Sequence, residues 1–370
     1  MNIKRIGSVA TIAIAGAIVL SSCAANESAD TSSTSSASAS GVDYSSLSGT
    51  LNGVGSSAQG TAETTWISGF QQQASNVTVN YNPQGSGAGR SSFISGAADF
   101  AGSDAALSDE ELAGSFQACK TGTTGIDLPV YISPIAIAYK VDGVKNLTLD
   151  AETIAGIFKG TITTWDDAAI QKLNKNADLP SSAITVVHRS DDSGTTENFT
   201  DYLAQNAPDV WDAEAGQTYP YQIGDGAQGT SGVASAMQGA SNAITYIDDS
   251  GAGSLDKAKL VVGDNTSTIS AKGAAQVVAD SDVAAGRGDN DLAIEIDRKD
   301  TEKGAWPLVL VSYAIACQTY SDSDKADLVK AYLTYAASSE GQEAAAQQAG
   351  SAALSTELAD KVTKAIATIK

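Results

Sequence analysis

Strand-length apolar runs alternate with longer helix-like runs from residue 49 onward, and this alternation constrains the fold more than any other feature of the sequence. Residues 77–81 alternate apolar and polar side chains as a strand does, and a glycine-rich turn leads from them into a helical pattern around Phe93. Residues 184–187 precede a polar turn and a helix through Phe199 in the same way. Further strands are predicted at 129–132, 135–139 and 305–311, and further helices at 149–158, 168–173 and 326–337. Such alternation is typical of α/β folds.

Four glycine- and serine-rich turns interrupt this pattern, at residues 53–58, 85–89, 102–104 and 189–195. Three of them lie at predicted helix starts. There the first N–H groups have no intrahelical partner and form the positive end of the helix dipole. Glycine lets the backbone approach a ligand, and Ser or Thr adds hydroxyl donors. The fourth turn, at 102–104, precedes residues 108–111, whose Ser-x-x-Glu spacing predicts a capping box.

Each turn alone is more often a helix cap than a ligand site. On that basis Asp104 would be a helix-flanking cap and Arg189 a surface ion pair. Three helix-start turns together with Arg189 instead favour a shared anion site. It is neither a P-loop, since no turn supplies the required lysine, nor a dinucleotide site, since Ala58 stands where the third glycine is needed.

The composition argues against nucleic-acid binding and against metal or histidine chemistry. The formal net charge is −21, with 43 acidic against 22 basic residues, and such a surface repels nucleic acid. One His and three Cys leave little material for a metal centre or for histidine-based catalysis. We therefore expect no metal, no cofactor and no enzymatic reaction.

Residues 1–22 are typical of a lipoprotein signal peptide. Lys4 and Arg5 precede an apolar stretch at 6–20 that is short for a membrane span, and Leu20-Ser21-Ser22-Cys23 resembles the bacterial lipobox, in which the cysteine becomes the lipid-modified first residue. The alternative is an ordinary cleaved signal followed by a chance cysteine. Residues 23–48 then hold the lipidated Cys23 and a Ser-rich flexible tether. No later segment is long and apolar enough to cross a bilayer, so we expect a lipid-anchored protein on the outer face of the cell membrane.

Two further cysteines, Cys119 and Cys317, lie far apart in the sequence. An extracytoplasmic location permits a disulfide, and the lack of a His cluster makes a metal site less favourable than a disulfide. Two separate buried thiols remain the alternative.

In their order and context, the four turns resemble those of the phosphate-binding lipoproteins that serve high-affinity ABC phosphate importers. The most specific stretches are residues 184–199 and 99–104, and supporting stretches lie at 160–167, 242–246 and 305–307. The resemblance covers most of residues 49–370.

This resemblance implies an α/β, two-lobed periplasmic-binding-protein-like fold of type II, with the ligand in the interlobe cleft. Lobe 1 would comprise 49–132 plus 308–370 and lobe 2 residues 133–307, so that Cys119 and Cys317 share a lobe, which favours the disulfide. The implied partners are inorganic phosphate, the ABC permease and ATPase subunits, and the membrane through the lipid anchor; the protein would be a monomer. The residues implied to bind phosphate are Ser57, Ala58, Ser86, Asp104, Arg189, Ser193, Gly194 and Thr195, with Asp191 supporting Arg189.

Asp104 would provide the selectivity. An ionised carboxylate only accepts hydrogen bonds, so it can receive the proton that phosphate keeps near neutral pH, whereas fully ionised sulfate offers none. An unmatched buried partner of this kind rejects isosteric ligands by a factor of about 10⁴–10⁵.

Three other functions compete with phosphate binding. Another protonated oxyanion such as arsenate would satisfy the same carboxylate. An exported phosphatase or serine hydrolase would need Ser193 and His188 to cooperate, without further histidines or a metal. Residues 287–289 spell the cell-attachment tripeptide Arg-Gly-Asp, which we interpret as a chance occurrence in a solvated loop.

Overall fold

The computed structural model describes residues 43–370; the predicted signal peptide, Cys23 and most of the tether lie outside the described residues. The strands are β1 Gly49–Gly55, β2 Val77–Asn82, β3 Phe100–Ser103, β4 Gly125–Lys140, β5 Thr148–Leu149, β6 Thr185–Arg189, β7 Asp225–Ala227, β8 Ala243–Asp248, β9 Asp256–Lys257, β10 Lys259–Val262, β11 Asn265–Ser267, β12 Asp282–Val283, β13 Ile294–Glu295 and β14 Val309–Cys317. The helices are α1 Gly60–Gln73, α2 Ser86–Ile94, α3 Asp109–Leu112, α4 Ala151–Lys159, α5 Ala168–Leu173, α6 Gly194–Asn206, α7 Gly229–Gly239, α8 Asp249–Ala252, α9 Ala271–Ala279, α10 Ser323–Ala337, α11 Ser339–Ala349 and α12 Thr356–Ala367, and a short 3-10 helix spans Tyr44–Ser46.

Several predicted elements are confirmed because their signals are local. The strand predicted at 77–81 is β2, the helix predicted at 168–173 is α5, and the helix predicted at 326–337 forms most of α10. The capping box is also present: Ser108 Oγ accepts from the Glu111 N–H, and Glu111 Oε2 accepts from the Ser108 N–H.

Three strand predictions were wrong in extent. Residues 129–132 and 135–139 belong to one continuous strand, β4, because its prolines fall where the ladder is irregular. Pro129 lies at the β-bulge opposite Tyr313, and Pro134 is the last residue of β4 paired with β14. The strand predicted at 305–311 begins only at Val309, because the main-chain N–H of Trp306 donates to the Gly273 carbonyl of α9 and not to a neighbouring strand.

A nine-stranded sheet organises the fold, in the order β2-β1-β3-β14-β4-β8-β6-β7, with β9 also paired to β4. Strands β1, β2 and β3 are parallel to each other, as are β6, β7 and β8, and the long antiparallel β4 lies between these two groups. Along β4 the partner changes from β14 to β8 between Pro134 and Ile135. This change lies within two residues of the sequence-predicted lobe boundary; the division into two lobes itself stays a prediction.

A disulfide joins Cys119 to Cys317, with the two Sγ atoms 2.01 Å apart. It ties the last residue of β14 to the loop between α3 and β4.

In the Arg-Gly-Asp tripeptide, Gly288 and Asp289 are exposed, as a solvated loop predicts, but the arginine side chain does not face solvent. The Arg287 side chain is 9% exposed and pairs with Asp127 and Asp291, at 2.5 and 3.1 Å. Its guanidinium therefore fastens the loop to β4 instead of offering a cell-attachment surface.

Glu63 on α1 is a carboxyl group enclosed by the core. It is 2% exposed, and its Oε2 accepts a hydrogen bond from the Tyr332 hydroxyl of α10. Burial raises the pKa of Glu63 to about 8, although the hydrogen bond from Tyr332 opposes the rise. The folded protein thus holds a proton that the unfolded chain releases near its ordinary pKa of 4.5.

The folded state binds this extra proton between the two pKa values, so Glu63 lowers stability as the pH rises from about 4.5 to about 8. We expect Glu63→Gln to raise the free energy of unfolding at pH 8 by about 3 kcal/mol, with a much smaller gain at pH 5. Urea unfolding at both pH values measures the difference. Glu152→Gln, at an exposed position of α4, controls for the loss of one negative charge. An equal gain at both pH values would contradict the prediction.

Candidate functional site

The candidate site lies where β1, β2, β3 and β6 end, next to the first residues of α2 and α6. Backbone hydrogen bonds hold the turns at 53–58, 85–89 and 102–104 together: the Ser56 N–H donates to the Gly102 carbonyl at 2.8 Å, and the Gly85 N–H donates to the Gly55 carbonyl at 2.8 Å. The turn at 189–195, between β6 and α6, contacts them from the other side, since the Gly87 N–H donates to the Asp192 carbonyl at 3.1 Å. All four turns predicted from the sequence therefore meet in one place.

Gly194, the first residue of α6, lies against two of the other turns. A Cβ atom at this position would stand 2.7 Å from Asp104 Cβ and 2.7 Å from Ser86 Oγ, so no larger residue fits. Gly85 is equally constrained, because it has φ +108° and a Cβ there would lie 2.5 Å from Asp191 Oδ2. Glycine at these two positions is what permits the close approach of the turns.

Asp104 is the central carboxylate and is 4% exposed. Its Oδ2 accepts a hydrogen bond from Thr195 Oγ1 at 3.1 Å, whereas its Oδ1 is buried and has no hydrogen-bond partner among residues 43–370. Burial raises the pKa of Asp104; the nearby hydroxyls of Ser56 and Ser312 and the charge of Arg189 oppose the rise. The arrangement leaves a strong acceptor that the described protein atoms do not satisfy.

Arg189, the last residue of β6, is held by a two-point ion pair. Its Nε donates to Asp191 Oδ1 at 2.8 Å and its Nη2 to Asp191 Oδ2 at 2.5 Å, and the arginine is 3% exposed. Burial alone would raise the pKa of Asp191, but the hydrogen bonds and charge of Arg189, with the N–H of Gly229, hold it below its ordinary value. Nη1 points toward Thr195 Oγ1 at 3.5 Å, so the free edge of the guanidinium faces the start of α6.

The serine hydroxyls at the helix starts are positioned as donors. Ser86 Oγ accepts the N–H of Asp104 at 3.0 Å, and Ser193 Oγ caps α6 by accepting the N–H of Thr196 at 3.2 Å. A hydroxyl that already accepts still has its own proton to donate. Both serines can therefore give a hydrogen bond to an anion.

The turn at 53–58 contacts the start of α7 as well. Ser57 Oγ accepts the Thr230 N–H at 2.9 Å and lies 3.1 Å from Thr230 Oγ1. The Ala58 N–H donates to Ser56 Oγ at 3.1 Å. Ser57 is thus bonded to α7 and Ala58 to its own turn, and neither is hydrogen-bonded to Asp104 or Arg189.

Comparison with known proteins agrees with this geometry. A family model described as a PBP superfamily domain matches residues 28–340. Phosphate-binding protein PstS 3 of Mycobacterium tuberculosis is 37% identical over 339 residues, covering 90% of each chain. PstS 2 of the same species is 34% identical over 349 residues, covering 93% of each. The chain belongs to the PstS family of phosphate-binding proteins.

This PstS-family protein has the same fold as phosphate-binding proteins of known structure. The high-affinity periplasmic phosphate-binding protein PfluDING aligns with a TM-score of 0.69 at 22% identity, covering 85% of this chain and 93% of that one. A phosphate-binding protein from Stenotrophomonas maltophilia aligns with a TM-score of 0.68 at 20% identity, covering 86% and 94%. At these identities the likeness establishes the α/β periplasmic-binding-protein fold.

The sequence did not single out Tyr246 as a supporting residue of the PstS-family site. Its hydroxyl accepts the Arg189 N–H at 3.2 Å and lies 2.8 Å from Thr196 Oγ1, so it joins the end of β6 to the start of α6. The only sequence signal was its position in the 242–246 segment. His188, whose role the sequence left open, stacks on Tyr219 with ring centroids 3.9 Å apart, and its Nδ1 lies 2.8 Å from the Arg189 carbonyl.

Between residues 43 and 370, no group of three or more His, Cys, Asp or Glu side chains is placed to hold a metal ion. Within the same range, no helix has the length and apolar character needed to span a bilayer.

Proposed function

We propose that this protein binds inorganic phosphate outside the cytoplasmic membrane and passes it to an ABC-type phosphate importer. The ligand would lie among the helix starts at Ser86 and Gly194, the carboxylate of Asp104 and the guanidinium of Arg189. The PstS relatives, whose names state phosphate binding, support this assignment.

The observation that carries the proposal is the unsatisfied Oδ1 of Asp104. A buried acceptor without a partner costs folding free energy on the order of 1–3 kcal/mol, and a ligand that donates to Oδ1 would recover this cost. A protonated oxyanion supplies the missing O–H, while Arg189 and the helix-start donors bind its other oxygens. A ligand that contacts both the Asp104 carboxylate and the Arg189 guanidinium must be an anion that still carries a proton, because the carboxylate needs a donor and the guanidinium needs an acceptor.

The proposed ligand set is the one that the sequence predicts. It comprises Ser57, Ala58, Ser86, Asp104, Arg189, Ser193, Gly194 and Thr195, with Asp191 holding Arg189. Within it, Ser57 can keep its bond from the Thr230 N–H and still donate its hydroxyl proton. The N–H of Ala58 has to leave Ser56 Oγ in order to reach a ligand.

We further propose a lipid anchor at Cys23 after removal of residues 1–22, followed by a tether. The sequence extended this tether to residue 48, but Tyr44 is buried with its ring centroid 5.6 Å from that of Phe70, so the tether ends before Tyr44. We also propose a monomer with two lobes, 49–132 plus 308–370 and 133–307, that close over the ligand. The partner change along β4 at Pro134 and Ile135 supports the lobe division. The permease and ATPase subunits of the importer are the proposed partners.

Parallel calorimetric titrations of phosphate-stripped protein with phosphate and sulfate test the proposal. We expect tight binding of phosphate and no measurable heat with sulfate, because only phosphate brings a proton to Asp104. Arsenate, which is also protonated, forms a third arm and distinguishes a general oxyanion binder. Turnover of a chromogenic phosphate ester would favour the phosphatase alternative, and equal binding of sulfate would refute the proposed selectivity.

A further inference from the structure

We propose that Asn198, on α6, is a positioning residue for phosphate binding. It fixes the main chain of Asp104 against α6, and thereby sets where the carboxylate stands relative to Arg189. This inference rests on the proposed function.

Asn198 joins two turns of the site that are distant in sequence. Its side chain is buried, and its Nδ2 donates to the Gly194 carbonyl at 2.8 Å and to the Asp104 carbonyl at 2.7 Å. One amide group with two N–H donors therefore holds both the first turn of α6 and the main chain after β3.

Arg298 sets the orientation of that amide. The arginine is 2% exposed, and its Nη2 donates to Asn198 Oδ1. Its other donors are engaged by the Val309 carbonyl at 2.6 Å and by Asp201 Oδ2 at 2.8 Å. Because a guanidinium can only donate, the amide must turn its oxygen toward Arg298 and both of its N–H groups toward the two carbonyls.

As a result, Asp104 is held at three points. Its N–H is bound by Ser86 Oγ, its carbonyl by Asn198 Nδ2 and its Oδ2 by Thr195 Oγ1. These contacts leave one direction for Oδ1. Without Asn198, the carbonyl loses its partner, and the carboxylate loses the support that comes from α6.

Asn206, also on α6, provides a matched control. Its Nδ2 donates to the Tyr202 carbonyl four residues earlier and to the Arg298 carbonyl 92 residues later, at 3.0 and 2.9 Å. It thus makes the same kind of double donation as Asn198, but without contacting Asp104.

The test measures phosphate Kd by calorimetry for Asn198→Ala, Asn198→Asp and Asn206→Ala. In Asn198→Asp, the carboxylate can still accept from Arg298 but cannot donate to the Gly194 and Asp104 carbonyls. This variant replaces Asn198→Ala in the test if the alanine variant folds poorly. We expect both Asn198 variants to bind phosphate about 10- to 100-fold more weakly, and Asn206→Ala to stay within about twofold of the wild type. Unchanged affinity in folded Asn198 variants would overturn the inference while leaving phosphate binding intact.

A double-mutant cycle with Asp104→Asn separates positioning from general destabilisation. If Asn198 acts through the carboxylate, Asn198→Ala will weaken phosphate binding by less than about threefold in the Asp104→Asn background. Fully additive losses would contradict the positioning role. If the wild type bound no phosphate, the proposed function would fail, and this inference would fail with it.

Discussion

Arg189→Ala is expected to weaken phosphate binding by about 10³-fold, because it removes the charged donor proposed to bind the anion and leaves Asp191 buried without its partner. The side chains of Arg189 and Asp191 are only 4% and 10% exposed, so little water can take over the lost contacts. Calorimetric titration of the phosphate-stripped variant measures the change. The phosphate affinity of Arg189→Lys should lie between those of the wild type and Arg189→Ala, since an ammonium keeps the charge but loses the planar fork that pairs with Asp191.

Arg287→Ala is the matched control for this effect. Arg287 is also a buried arginine, and its removal likewise leaves the carboxylates of Asp127 and Asp291 without their cation. It makes no hydrogen bond to the four turns of the site. We therefore expect a comparable loss of thermal stability with phosphate affinity close to that of the wild type. An equal loss of affinity in both variants would mean that Arg189 acts through folding and not through the anion.

Asp104→Asn is expected to weaken phosphate binding by about 10²-fold and to make sulfate binding detectable. Thr195 can keep its hydrogen bond to the remaining carbonyl oxygen, which directs the amide N–H₂ to the former place of Oδ1. The acceptor for the phosphate proton then becomes a donor, which suits an unprotonated oxygen. The preference for phosphate over sulfate should narrow from roughly 10⁴–10⁵ to a small factor.

Thermal stability without ligand gives an independent measurement on the same variant. Burial raises the pKa of Asp104, so its ionised form is costly to the unliganded fold, and a neutral amide removes that cost. We expect Asp104→Asn to be at least as stable as the wild type when phosphate is absent. Asp127→Asn, at an equally buried carboxyl bound by Arg287, should leave the phosphate preference unchanged. An unaltered preference in Asp104→Asn would remove our explanation of selectivity.

The PstS family of the chain and the turns that form the candidate site could be predicted from the sequence, and the structure explains why. The elements that follow each turn depend on apolar period, helix caps and glycines, which act within a few residues of the chain. For that reason the predicted helix at 168–173 and the predicted capping box at Ser108 are both present in the structure. The four turns could be located in the sequence for the same reason.

Only the tertiary structure decided how these turns support one another. The hydrogen bond from Asn198 to Asp104 spans 94 residues, that from Arg298 to Asn198 spans 100, and that from Thr230 to Ser57 spans 173. Such contacts depend on the order of strands in the sheet, and no local sequence pattern predicts them. The continuity of β4 past its prolines has the same origin, because the neighbouring strands determine where a missing N–H does no harm. Local sequence determined which groups could face an anion, and the long-range packing of the chain determined how rigidly they are held.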